Sequence, residues 1–162
     1  MYNAAVIGLG LSGYKLDQDK ARNIIWSHSK AYFIHSQIKL IAVSDLDQNN
    51  YYNFKLEFGE IPFYKNYLDL LKERQCDIVS ICTPTPTHYQ IIKNIITECP
   101  PRLIFVEKPM GNSLEESKLI KRLCDDAGVI IAVNYMRRWD NRYNIIRDYI
   151  KQNKLGNVQF II

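Results

Sequence analysis

The chain has 162 residues, 47% of them apolar and 23% charged, with 21 Lys and Arg against 17 Asp and Glu for a net charge of +4. That length suits one domain, since ~160 residues bury about 70% of the surface the unfolded chain exposes, and seven Gly with six Pro are too few for a collagen-like or low-complexity chain. No apolar run approaches the ~18 residues of a membrane span, and Lys and Arg are scattered rather than clustered as a nucleic-acid or anionic-membrane surface requires.

In chain order, Ala4–Ile7, Ile38–Val43, Ile78–Cys82, Leu103–Val106 and Val129–Val133 are short apolar runs rich in Ile and Val. Such runs read as strands buried on both faces, as in a parallel sheet. Helical periodicity fills the intervals. Tyr51, Phe54 and Phe58 share a face closed by Gly59, and Ile91, Ile92, Ile95, Ile96 and Cys99 form a second stripe stopped by Pro100-Pro101. Ser113-Leu114-Glu115-Glu116 fits a capping box, followed by Ile120, Leu123, Cys124 and Ala127 on one face and Gly128 at the close. Trp139, Tyr143, Ile146 and Ile150 predict a last helix before Gly156. Alternating strands and helices imply right-handed crossovers, so the expected fold is α/β, a Rossmann-type doubly wound, mostly parallel sheet with helices on both faces.

Two segments stand apart. The polar stretch Tyr14–Ser27 reads as an insertion before the first helix, and Val158–Ile162 reads as a further strand with no partner, as at the start of a longer protein. Met1-Tyr2-Asn3 lacks a basic n-region and Ala4–Ile7 is too short for a signal peptide, so none is expected. Cys76, Cys82, Cys99 and Cys124 form no CxxC pair, which predicts reduced thiols in a cytoplasmic protein and no metal site.

Gly8-Leu9-Gly10-Leu11-Ser12-Gly13 matches G-x-G-x-x-G directly after the first strand. In a dinucleotide site the first Gly makes a tight turn, the second admits a pyrophosphate to the backbone, and the third lets helix and strand pack closely. Asp45, at the end of the second strand, is placed to accept the hydroxyls of an adenosine ribose. Its charge opposes a 2′-phosphate and no Arg follows within Leu46–Asn50, which favours NAD over NADP. Gly13 and Asp45 are 32 residues apart, against ~20 in the usual pattern. The polar insertion accounts for the excess. A plain turn with a solvated Asp45, or an S-adenosylmethionine site, would look similar.

Thr83-Pro84-Thr85-Pro86-Thr87-His88, Glu107-Lys108-Pro109 and Asn134-Tyr135-Met136-Arg137-Arg138 each follow a predicted strand, at the edge where open α/β sheets bind ligands. With Gly8–Gly13, these segments resemble the glucose–fructose oxidoreductase / inositol dehydrogenase (Gfo/Idh/MocA) family along essentially the whole chain. Arg137-Arg138-Trp139-Asp140 and Ser27-His28-Ser29-Lys30-Ala31 look more like a subgroup tied to sugar-nucleotide and polysaccharide biosynthesis. The resemblance implies NAD(P) held by Gly8, Leu9, Gly10, Leu11, Ser12, Gly13 and Asp45, with Thr83, Pro84 and Thr85 lining the cofactor. It also counts His88, Glu107 and Lys108 among the cofactor-binding residues, His88 matching a family histidine and Lys108 a lysine beside nicotinamide and substrate, whose ammonium favours a developing alkoxide. Glu107 would hold that lysine or touch the ribose, and a cis Lys108-Pro109 bond is expected.

Several of these residues keep a second reading. His88 could cap its helix or face solvent. Arg137 and Arg138 could flank a helix, or with Asn134 could receive an anionic substrate group. His28 and His35 are read as residues of an ordinary surface or interface helix. The resemblance further implies a second domain carrying an Asp-x-x-x-His acid/base pair and the contacts of a homo-oligomer. Asp140 is followed by Asn144 rather than His, so residues 1–154 are expected to be the dinucleotide-binding domain and 155–162 a junction and first strand of the next. The implied function is an NAD-dependent oxidoreductase acting on a sugar or nucleotide-sugar hydroxyl, with this chain alone inactive. The alternatives are a dinucleotide-responsive regulatory module and an α/β domain with no ligand.

Overall fold

A computed structural model describes residues 1–21, 24–157 and 159. Six strands, β1 (Tyr2–Ile7), β2 (Ile38–Ser44), β3 (Phe63–Tyr64), β4 (Ile78–Ile81), β5 (Leu103–Val106) and β6 (Ile130–Val133), form one sheet in the order β3-β2-β1-β4-β5-β6. Every pairing is parallel. The order reverses between β2 and β4 about the central β1, and such a switch point opens a crevice at the carboxyl edge of the strands.

The helices are α1 (His28–Ile34), α2 (Gln48–Phe58), α3 (Tyr67–Glu73), α4 (His88–Glu98), α5 (Leu114–Asp126) and α6 (Asn141–Lys151). Local chemistry sets their starts: Ser27, Asp47, Asn66, Ser113 and Asp140 each accept a backbone N–H two or three residues on. The capping box at Ser113 is half as expected. Ser113 receives the Glu116 N–H, but the Glu116 carboxylate takes the N–H of Asn112 instead of that of Ser113. Gly59 and Gly128 close α2 and α5 with φ of 76° and 67°, a region that costs other residues steric strain.

Alternation along β1 divides the core. Ala4 and Val6 pack with Tyr32 of α1 and with Phe54 and Phe58 of α2, while Ala5 and Ile7 face the side covered by α3, α4 and α5. On that second side Leu70, Ile92, Ile95 and Ile120 are fully buried. Each contributes roughly 1.5–3 kcal/mol, which holds the strand ends in place for the site.

The doubly wound expectation holds, with differences at the margins. β3 and α3 were not expected: a two-residue strand and a seven-residue helix leave too short a pattern to read. β6 lies at the sheet edge, and Ile130 is exposed instead of buried on both faces. Ala127 is exposed and caps α5 instead of packing. Trp139 precedes α6, and Tyr143, Ile146 and Ile150 are exposed, so α6 buries no residue within the described chain. The strand expected at Val158–Ile162 falls largely outside the described residues. No helix among the described residues is long and apolar enough to cross a membrane.

The insertion has a definite form. Tyr14 belongs to the core, fully buried edge-on to Phe54, so the looped-out segment starts after it. Tyr14 N–H bonds to Gly10 O, while His28 and Ser29 N–H bond to Ser12 O and Gly13 O, at 3.0 and 3.1 Å. α1 therefore continues the helical ladder begun at the glycine turn, and His28 stands where residue 16 of an unbroken helix would. Taking out the intervening 12 residues returns the Gly13–Asp45 separation from 32 to the ~20 of the dinucleotide pattern. Asp17 closes the excursion by accepting the N–H groups of Trp26 and Ser27 at 2.7 and 2.8 Å.

Candidate active site

Each glycine of the turn has its own geometric reason. Gly8 has φ of 94°, and a Cβ there would lie 2.8 Å from the Cys82 carbonyl carbon. A Cβ on Gly13 would stand 2.1 Å from Gly8 O, so only glycine lets the helix approach the strand this closely. Gly10 is different: a Cβ there would meet nothing within 4 Å. Its bareness has no packing cause inside the protein, and it leaves the open approach that a pyrophosphate needs.

Beside Gly10 lies a cleft of about 510 Å³, bounded by Ile7 and Gly8, by Ser44, Asp45 and Leu46, and by Cys82, Thr83 and Pro84. Asp45 stands at its β2 wall. Leu9 N–H donates to its Oδ2 at 2.6 Å, and Asp47 N–H and Asn50 Nδ2 donate to Oδ1 at 2.8 and 3.2 Å. The carboxylate is thus locked against the glycine turn, with lone pairs left for a ribose hydroxyl. Leu9 contributes that N–H while its side chain is buried, Ser12 offers its carbonyl to α1, and the Leu11 side chain is exposed. The residue types and spacing therefore fit a bound dinucleotide.

Opposite, Thr83 Oγ1 and Thr87 Oγ1 are 2.7 Å apart, and Thr87 donates to Pro84 O. Pro86, Thr87, Gln90 and Ile91 complete that wall, and Lys65 and Tyr67 close the end beyond Asp45. Thr85 does not line the cleft. Sequence reasoning missed Lys65, Tyr67, Gln90 and Ile91, because the unseen β3 and α3 set the first two and the aim of the others depends on packing.

His88 neither faces solvent nor lines the cleft. It is completely buried, with Nδ1 at 3.1 Å from Pro109 O and 3.3 Å from Met110 O, and Nε2 at 2.9 Å from Thr83 O. It staples the Thr83–Pro84 loop to the segment after Lys108, in place of the expected contact with the cofactor. The Lys108-Pro109 bond is cis, as expected.

The ends of β5 and β6 carry a second cluster. Glu107 N–H donates to Ile81 O and Asn134 N–H to Val106 O, which brings Glu107 and Asn134 level with Cys82 along the edge. His28 Nε2 is 3.1 Å from Glu107 Oε1, Asn134 Nδ2 donates to the same oxygen at 2.7 Å, and Lys108 N–H reaches Oε2 at 3.3 Å. His28 Nδ1 meets Ser80 Oγ at 2.8 Å, and Ser80 in turn meets Tyr32 OH at 2.7 Å. His28 is 4% exposed, so its reading as a surface or interface residue is overturned. His35 is exposed, as expected. The clue to His28 was its register three positions after Gly13, which the excursion hides.

Burial alone would lower the His28 pKa, but the Cys82 sulfur and the Glu107 carboxylate outweigh it and raise the value to about 10. Burial would raise the Glu107 carboxyl, yet bonds from His28 and Asn134 hold it below the ordinary range. Both directions describe an imidazolium–carboxylate pair. Lys108 is exposed at the same edge. Arg137 lies 5.9 Å over the Tyr143 ring and Arg138 is on the surface. Neither lines the cleft, and of the three substrate candidates only Asn134 joins the cluster.

Residues 2–135 match the Gfo/Idh/MocA oxidoreductase family with an NAD-binding Rossmann fold. The chain belongs to this family. Among Gfo/Idh/MocA relatives it is 33% identical over 152 residues to scyllo-inositol 2-dehydrogenase (NAD(+)) of Bacillus subtilis, which covers 94% of this chain and 41% of that protein. The chain spans about two fifths of the length of that curated relative. Myo-inositol 2-dehydrogenase from Lactobacillus plantarum superposes with a TM-score of 0.79 at 26% identity, over 97% of this chain and 43% of that one. The WlbA dehydrogenase of Bordetella pertussis, in complex with NADH and UDP-GlcNAcA, gives 0.77 at 20% identity over 96% and 43%, a likeness of fold. The cofactor expected of the glycine turn is that of the family, NAD.

Proposed function

We propose that this chain is the cofactor-binding and lysine-bearing part of an NAD-dependent dehydrogenase acting on a ring hydroxyl of a cyclic polyol, sugar or nucleotide sugar. The observation that carries this reading is Gly10, bare toward an open cleft that the anchored Asp45 also lines, with Lys108 at the same sheet edge. Gly10 and the turn N–H groups would hold the pyrophosphate and Asp45 the adenosine ribose, with Thr83 and Pro84 against the remainder. Bound there, NAD supplies a hydride acceptor. Lys108 would donate a hydrogen bond to the substrate hydroxyl and favour negative charge developing on its oxygen.

The inositol and UDP-GlcNAcA in the names of similar proteins support the polyol and sugar classes. The lengths of those relatives support residues 1–154 as the cofactor domain and 155–162 as the junction to a second one. The Cys residues, all free, agree with a cytoplasmic setting. A homo-oligomeric intact protein and a place in polysaccharide biosynthesis follow from the family resemblance.

The test is calorimetric titration with NADH and NADPH beside Asp45→Ala, then turnover of the intact protein with NAD on a panel of inositols, sugars and nucleotide sugars. Saturable NADH binding that weakens at least ~10-fold in Asp45→Ala, with turnover lost in Lys108→Ala, is the expected result. No turnover in either protein, with NADH still bound, would favour the regulatory module.

A further inference from the structure

His28 is a histidine whose position demands an explanation. It enters from α1, passes over β4 and β5 with its ring 4.7 Å from that of Phe105, and ends on the carboxylate next to Lys108. We propose that His28 is a positioning residue that, with Asn134, fixes the Glu107 carboxylate and through it the backbone from which Lys108 projects. The inference rests on the reading of Lys108 as the group that meets the substrate hydroxyl.

The geometry accounts for both oxygens of Glu107. Oε1 receives His28 and Asn134, and Oε2 receives the Lys108 N–H. The two donors come from elements far apart in sequence, so the carboxylate ties α1 and the end of β6 to the residue after β5. The His28 ring is held from its other side by Ser80, itself bonded to Tyr32. With both nitrogens engaged the ring has one orientation, and so does the carboxylate.

The groups facing His28 are Tyr32 from α1, Ser80 and Cys82 at β4, Phe105 and Glu107 at β5, and Asn134 at β6. Of these, Cys82 and Glu107 both favour the proton on His28, and Tyr32 is kept neutral by burial. The pair therefore survives at neutral pH, where a solvated histidine would have lost its proton.

The experiment compares His28→Gln, Glu107→Gln, the double variant and Lys108→Ala in the intact protein. His28→Gln is expected to lower kcat about 10- to 100-fold with KM and NADH affinity within about 3-fold. The double variant should be no worse than the worse single one, because the two residues act as a unit. Two further readouts do not depend on turnover. The ¹⁵N signals of the His28 ring should remain those of an imidazolium at pH 8 and lose that state in Glu107→Gln, and the Lys108 amide should exchange about 10-fold faster in His28→Gln.

If Lys108→Ala abolishes turnover while His28→Gln leaves kcat and the Lys108 amide unchanged, this inference falls and the role of Lys108 stands. If Lys108→Ala retains turnover, the role of Lys108 falls. A His28→Gln chain that does not fold shifts the test to Glu107→Gln and Asn134→Ala, where unchanged kcat and Lys108 exchange would overturn the proposal.

Discussion

At the β1–β2 side of the cleft the walls are largely backbone: Gly8 bends where others are strained, Gly13 lets two backbone segments touch, and Gly10 leaves open space. At the β5–β6 side the working parts are side chains from three distant segments, His28, Glu107 and Asn134, joined by hydrogen bonds. Backbone sites restrict residue type at fixed spacing, whereas side-chain sites need only partners that meet in space. The first kind announces itself in a sequence and the second does not.

The sharpest way to break the comparison is to add a methyl group to two glycines of one motif. Gly13→Ala drives a Cβ to 2.1 Å from a backbone oxygen that has nowhere to go. It should cost at least ~3 kcal/mol and abolish cofactor binding, read by denaturant unfolding and by titration. Gly10→Ala, with open space around the new methyl, should leave stability within about 1 kcal/mol. It should still weaken NADH binding at least ~10-fold. Equal loss of stability in both would remove the distinction between a packing glycine and a ligand-facing one.

On the side-chain half, Glu107→Ala leaves His28 buried without its carboxylate, and about 3–5 kcal/mol of stability should go with it. The pair also fixes a pH dependence. His28 has its pKa raised from 6.5 to about 10, so its contribution is complete below pH 6.5 and is lost as pH rises toward 10. Glu107 is depressed from 4.5, so its contribution is complete above that value and fades as pH falls below it. Thermal midpoints should therefore be highest between about pH 4.5 and 6.5 and decline on the alkaline side. His28→Gln should flatten the alkaline decline. A wild-type curve unchanged from pH 6.5 to 10 would show that the pair carries no net charge interaction.

The smallest effect lies at the other end of the molecule. Ile146 is 53% exposed on α6, so Ile146→Ser in this chain should change stability by less than about 0.5 kcal/mol. Chemical denaturation of the two proteins checks it.

Periodicity found five of the six strands, and capping chemistry placed Ser113 and the closing Gly59 and Gly128. It missed β3 and α3, where Phe63–Tyr64 is too short to alternate, and it found α6 without showing that the apolar stripe there is left exposed. Of the candidate site, Gly8–Gly13, Asp45 and Lys108 were legible because each sits at a fixed place relative to a strand end. His28 was not, because the 12 residues looped out before it break the one spacing that would have marked it. His88 was found but misassigned: sequence fixes that it follows the Thr83–Pro84 loop, not that its ring turns inward.

That excursion separates chain length from site geometry. Its ends are pinned side by side, by helical bonds at Ser12 and Gly13 and by the Asp17 clasp, so the conformational entropy of what lies between changes little with its size, about 0.6 kcal/mol for each doubling. Residues could be added or removed there, down to a direct splice, while the glycine turn, Asp45 and His28 keep their relative positions. The segment is a place where this fold can acquire new surface next to a cofactor cleft at almost no energetic cost.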